Sequence, residues 1–110
     1  MYWCDFPEDA HLPEFWKCRP VIIVSYRNTL SGAATIIPCS TLDQLGNSWA
    51  VKLSITMTPG TVSWAICDKP STIAVSRLSA DRTGIPRLSE TDFNAVLSKL
   101  LEWLPKPKTP

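Results

Sequence analysis

Arg19 has the surroundings best suited to chemistry in this chain. It stands where a polar stretch gives way to Pro20-Val21-Ile22-Ile23-Val24, a continuous apolar run that reads as a buried strand. An arginine at such a junction is held by the strand while its guanidinium reaches solvent, which suits phosphate binding. The other reading is a surface ion pair with Glu14 or Asp5. Ser40 and Thr41 follow Pro38 at the end of a second apolar run. Their hydroxyls either bind a phosphate oxygen or close the turn by accepting from nearby backbone amides. The single histidine, His11, lies in the polar stretch before Arg19, together with Glu14, Trp16 and Lys17. A lone histidine is most simply a surface residue. No group of His, Cys, Asp and Glu has metal-ligand spacing, so no metal and no other cofactor is expected.

Several elements must position these residues. Tyr2–Phe6 is short and aromatic and reads as a strand. Pro7 to Pro13 breaks regular structure, and the loop is expected to run to about Cys18. A loop that long in a small domain is more often functional than idle. Pro20–Val24 is the next strand, Arg27–Gly32 a turn, and Ala33–Ile37 a strand that Pro38 is expected to end. Leu42–Ser48 reads as a second, mobile loop. Trp49–Leu53, Val62–Cys67 and Ser71–Val75 read as further strands, with a turn at Pro59-Gly60. One helix follows. Ser89 is its expected N-cap, with Asp92 three residues on in a relative of the capping box. Phe93, Val96, Leu97, Leu100, Leu101 and Leu104 form one apolar stripe on a 3.6-residue period, and Pro105 stops it. The pattern predicts a curved antiparallel sheet of five to seven strands with a C-terminal helix on it. It is mainly β, in one domain over residues 1–105, with a flexible tail over 106–110.

Composition narrows the function. With 45% hydrophobic and 19% charged residues, the 110-residue chain is globular. Its net charge of +1 argues against a general nucleic-acid coat but leaves room for a local basic groove. Lys17, Arg19, Arg27, Lys52 and Arg77 are the candidates for one. Cys4, Cys18, Cys39 and Cys67 contain no C-x-x-C pair, and no secretory leader pattern follows Met1. Reduced thiols in strands are the expectation. No apolar run approaches the ~20 residues of a membrane span, so a soluble, cytoplasmic protein with no membrane partner is expected.

Taken in order, several segments resemble the MazF/PemK toxins of type II toxin–antitoxin systems. Arg19-Pro20-Val21-Ile22-Ile23-Val24-Ser25 is similar to their R-P-x-h-h-h-S strand, where h is apolar. Ile37-Pro38-Cys39-Ser40-Thr41 is similar to their P-x-T-[ST] strand end. Asp68-Lys69-Pro70-Ser71-Thr72-Ile73 resembles the D-Q-h-[KR]-[ST]-I segment, and Tyr2-Trp3-Cys4-Asp5-Phe6 their opening strand. The resemblance runs over about residues 2–104. It implies an SH3-like barrel of the CcdB/PemK-like type and a homodimer. It also implies sequence-specific, metal-independent cleavage of single-stranded RNA, restrained by a cognate antitoxin protein. By the same resemblance Arg19 stabilises charge on the phosphate, Ser40 stands at the family's threonine, and Glu14 is a candidate base or an anchor of the RNA-binding loop. Lys17, Thr41, Trp16 and His11 are the residues expected to touch RNA, with Thr41 a possible substitute for Ser40.

Some residues depart from the family pattern. Pro13-Glu14-Phe15-Trp16-Lys17-Cys18 replaces a small, glycine-containing loop, and its aromatics either stack on bases or pack on the barrel. Pro70 removes a ladder donor, so an edge or a bulge is expected there. Two other functions stay open at this point: a gyrase poison of the same fold, and a non-catalytic SH3-like binding module. Arg19 beside Ser40 favours the nuclease, because neither alternative needs that pair.

Overall fold

The computed structural model describes residues 1–6, 17–25, 32–55, 60–79 and 87–107. Glu14, Trp16 and His11 lie outside the described residues, as do the side chain of Lys17 and most of the Arg27–Gly32 turn. Among the described residues the chain forms seven strands: β1 (Tyr2–Phe6), β2 (Lys17–Ile23), β3 (Ala33–Ser40), β4 (Ala50–Lys52), β5 (Trp64–Ile66), β6 (Ser71–Ala74) and β7 (Leu78–Ser79). A 3₁₀ turn at Val75–Arg77 separates β6 from β7, and one helix, α1 (Glu90–Trp103), follows. The strands run β4-β5-β3-β2-β1-β7, with β6 also paired to β3, and every pairing is antiparallel. The expected fold class, antiparallel sheet plus C-terminal helix, is the observed one.

Several elements differ from expectation, most of them for hydrogen-bonding reasons. Strand β2 begins at Lys17 rather than Pro20, because β1 pairs along its whole length, as far as Phe6 opposite Lys17. Strand β3 runs through Pro38 to Ser40. Val24 N–H donates to the Thr35 carbonyl at 3.0 Å, which sets the phase of the β2–β3 ladder. In that phase the backbone nitrogens of 36, 38 and 40 point away from β2. The missing N–H of Pro38 therefore falls between Ile36, the last partner of β6, and Cys39, the first partner of β5. A proline costs no ladder bond there. Strand β7, which pairs with β1, has no counterpart in the expected elements, because two residues are too few to leave a pattern. Leu42–Ser48 is a loop, as expected, and it is closed by successive turns. Asn47 N–H donates to the Gln44 carbonyl at 2.8 Å and Ala50 N–H to the Asn47 carbonyl at 3.1 Å. Pro70 lies between β5 and β6, outside both ladders.

Alternation sorts the side chains onto two faces. Ile22, Ile37, Cys39, Ala65 and Cys67 pack with Leu53 and with Val96 and Leu100 of α1. Cys4, Val21, Ala34 and Ile36 form a smaller cluster on the other face, with Ile73 and Leu78 against it. Ser89 caps α1 by accepting from Asp92 N–H at 3.1 Å. The Asp92 carboxylate does not return to the cap. It accepts from Ser54 N–H at 2.8 Å and Ser54 O–H at 2.6 Å, tying the helix start to the chain just after β4. The six-residue stripe is narrower than expected. Val96 and Leu100 are buried, Phe93 packs against them, Leu97 is half-buried, and Leu101 and Leu104 are exposed. Each residue turns the helix by about 100°, so Leu101 points well round from Leu100 toward solvent.

Two predictions follow from this core. Leu100→Ala removes a buried side chain and is expected to cost about 2–4 kcal/mol in urea unfolding. Lys99→Ala, which breaks only an exposed pair with Glu102, is expected to change stability by less than about 0.5 kcal/mol. Equal losses would mean that α1 does not pack through Leu100.

The second prediction concerns pH. Burial pushes the Cys39 thiol up to about 12 and the Cys67 thiol up to about 11, from an ordinary 9.0. The unfolded chain thus releases these protons first as pH rises. Their contribution to stability is complete below pH 9 and is lost as pH climbs toward the folded values. The melting temperature is expected to fall between pH 9 and 11, with a shallower slope in Cys39→Ala. Identical slopes would remove the thiols as the cause.

Candidate functional site

The site lies on the sheet face away from α1. Arg19 shares the face of Val21 on β2, and Ser40 shares the face of Ile36 on β3. Val21 pairs with Pro38 as the last pair of that ladder, and Arg19 and Ser40 each lie two residues beyond it on their own strands. The two residues line one pocket of about 220 Å³, with Leu42, Gln44, Asn47, Ile66 and Lys69 completing its wall. The β2–β3 pairing ends at Val21 and Pro38, so the pocket opens where the two strands stop being bonded to each other.

Each side chain is held by local structure. Ser40 is only 6% exposed, and its Oγ accepts from Leu42 N–H at 3.1 Å. The turn-closing role is therefore real, and it leaves the serine O–H free to donate. Asp43 Oδ1 accepts from Leu45 N–H and Asn47 Oδ1 from Trp49 N–H, both at 3.0 Å, in the same two-residue reach. This succession carries Gln44 and Asn47 back over the pocket. Lys69 arrives from the opposite side. Its N–H donates to the Ile66 carbonyl at 3.2 Å, closing a tight turn through Cys67 and Asp68 at the end of β5. One Asp68 carboxylate oxygen is buried there without a hydrogen-bond partner among the described residues.

The pocket therefore gathers a guanidinium, an ammonium and a hydroxyl donor, with two side-chain amides at its edge. Such a set suits an anionic oxygen cluster such as a phosphodiester. The expected basic groove is differently composed. Lys69, which carried no expectation of its own, joins Arg19, whereas Lys52 lines a neighbouring groove and Arg77 lies in the 3₁₀ turn. Thr41 does not stand beside Ser40 in the phosphate pocket. As the next residue along the chain it lines the neighbouring groove. Lys69 is hard to read from sequence because its place depends on a turn whose closure is a backbone bond. Among the described residues, no three His, Cys, Asp or Glu side chains come together in a way that could hold a metal ion.

Comparison with known proteins is decisive at the level of family. The PemK-like, MazF-like toxins of type II toxin–antitoxin systems match residues 1–104. The chain belongs to that family. Among solved structures it is similar to the toxin MazF-mt6 of Mycobacterium tuberculosis, with a TM-score of 0.68 and 21% identity over 93% of each chain. It is also similar to a mycobacterial endoribonuclease solved in complex with its cognate antitoxin, with a TM-score of 0.69 and 19% identity. That match covers 96% of this chain and 93% of the other. No curated protein matches the sequence. At these identities the structural likeness speaks for the fold, while membership rests on the family match. Among the described residues no helix is long and apolar enough to cross a membrane.

Proposed function

We propose that this toxin is a metal-independent endoribonuclease that cuts single-stranded RNA at a short sequence motif. The observation that carries the reading is that Arg19 of β2 and Ser40 at the end of β3 line one pocket with Lys69. In the proposed reaction the ribose 2′-oxygen attacks the adjacent phosphorus as its proton passes to a base. The bond from phosphorus to the 5′-oxygen breaks, and that oxygen takes up a proton. The products are a 2′,3′-cyclic phosphate and a 5′-hydroxyl. Negative charge builds on the non-bridging oxygens in between, so donors already fixed in place lower the barrier. Arg19 and Lys69 supply the positive charge, and the Ser40 O–H donates to one oxygen while Leu42 N–H holds its Oγ. Glu14 is the proposed base, with Lys17, Trp16 and His11 as further RNA contacts. These four assignments rest on the family resemblance.

We further propose a cytoplasmic homodimer restrained by a cognate antitoxin. The endoribonuclease of similar fold was solved with its own antitoxin, which supports that partner. Leu101, Trp103 and Leu104, all exposed at the end of α1, offer apolar surface for the dimer. A gyrase-poison role is less well supported, since it gives no use to a pocket holding two cations and a hydroxyl.

The test is cleavage of a mixed-sequence RNA by purified protein in excess chelator. Activity is expected to persist. Arg19→Ala is expected to lower the rate by about 10²–10³. Ser40→Ala is expected to slow cutting more than Thr41→Ala does. A folded Arg19→Ala protein retaining more than about a tenth of the rate would overturn the phosphate role. Loss of activity in chelator, restored by magnesium, would overturn the metal-free mechanism. Light scattering at micromolar concentration is expected to show a dimer. A fully active monomer would remove the dimer and leave the nuclease.

A further inference from the structure

A second groove adjoins the phosphate pocket on the same sheet face. It measures about 350 Å³ and is lined by Thr41, Asp43, Leu45, Lys52, Val62 and Trp64. That volume sits at the small end of the ~300–1,000 Å³ typical of small-molecule sites. None of these residues takes part in the reaction outlined above.

Register connects the two. Ser40 pairs with Trp64 across β3 and β5, and Trp64 pairs with Lys52 across β5 and β4. Ser40, Trp64 and Lys52 therefore form one transverse row on a single face, each about 4.8 Å from the next in the direction across the strands, and Arg19 continues it on the far side of the pocket it shares with Ser40. The row reads cation, hydroxyl, aromatic, cation. The strand end and loop that follow divide the two hollows by simple alternation. Ser40, Leu42 and Gln44 face the phosphate pocket, while Thr41, Asp43 and Leu45 face the groove. Apolar side chains flank the indole in open solvent, with Leu45 81% and Val62 46% exposed. A flat aromatic between exposed aliphatics, one strand from a phosphate site and with a lysine beyond it, matches a nucleobase and its backbone.

We propose that this groove is a base-binding subsite. The nucleobase next to the phosphate held by Arg19 and Ser40 stacks on Trp64, and Lys52 takes a neighbouring backbone phosphate. The inference rests on the ribonuclease reading and adds the place of one base to it. Stacking accepts any base, because every base has a π-face. The groove thus sets affinity and the register of the strand, and leaves sequence choice to other contacts.

The experiment uses an RNA oligonucleotide that spans a mapped cleavage position. The 2′-hydroxyl at the cut is replaced by hydrogen, so the oligonucleotide binds without being cut. Trp64→Ala is expected to weaken binding roughly ten- to hundredfold. Trp64→Phe is expected to restore most of it, with native circular dichroism in both variants. An abasic site at the stacked nucleotide should cost the wild type a similar factor and cost Trp64→Ala nothing more. This non-additivity is the signature of direct contact, and a merely structural role for Trp64 would not produce it. Unchanged binding by Trp64→Ala overturns the subsite, as do additive losses at every abasic position. So does a folded variant that keeps its RNA affinity but loses restraint by a co-expressed antitoxin, since the groove then belongs to a protein partner. If the wild type cuts no RNA, the ribonuclease reading fails first and this inference with it.

Discussion

Strand β3 must satisfy three neighbours with one backbone, and the site depends on how it does so. On one edge it pairs with β2 as far as Pro38. On the other it pairs first with β6, up to Ile36, and then with β5, from Cys39. The change of partner needs a residue that asks for no hydrogen bond on that edge, and Pro38 is that residue. Pro20 has the matching place on β2. By the same ladder phase its ring nitrogen faces β3, at the step after the last pair of that ladder. Two prolines thus free the strand ends without stranding a buried amide. Arg19 directly precedes Pro20, and Ser40 lies two residues past Pro38.

The same alternation divides stability from chemistry. Odd positions of β3 and β5, such as Ile37, Cys39 and Ala65, turn toward α1 and the main core. Even positions, including Ser40, Trp64 and Ile66, turn to the face that carries the phosphate pocket and the groove. A charged side chain on this second face has no need to enter the core. A thiol on the first face is kept neutral by burial, so Cys39 and Cys67 act there as small apolar side chains. The Asp92–Ser54 contact then fixes where the helix begins over the sheet, at a distance from the site.

Much of this was legible in the sequence where the signal is local. The helix, its Ser89 cap and the apolar runs of β2 and β3 rest on periodicity and on short-range hydrogen bonds. Arg19 and Ser40 stood out because each closes an apolar run. What escaped depends on pairing between distant segments. Pro38 looked like a strand end because the gap between β6 and β5 exists only once the sheet is assembled. Trp64 looked like one more aromatic in a strand, and only its register with Ser40 and Lys52 gives it a place. Lys69 was hidden in a motif where the family pattern has a different residue. Leu101 was assigned to the core because a stripe on a helical wheel does not show how wide a surface the sheet presents.

A net charge of +1 is compatible with a phosphate pocket because the cations that count are few and placed by the sheet. Arg19 and Lys69 come from opposite sides of the pocket, one at a strand end and one on a turn. Lys52 stands at the far end of the row through Ser40 and Trp64. A strongly basic chain would attract any nucleic acid along its length and depend heavily on salt. Here the three lysine and arginine side chains at the pocket and the adjoining groove are placed individually, so their effect depends on geometry more than on bulk charge. That arrangement follows from the pairing of β3, β5 and β4 and from the turn that carries Lys69, rather than from composition.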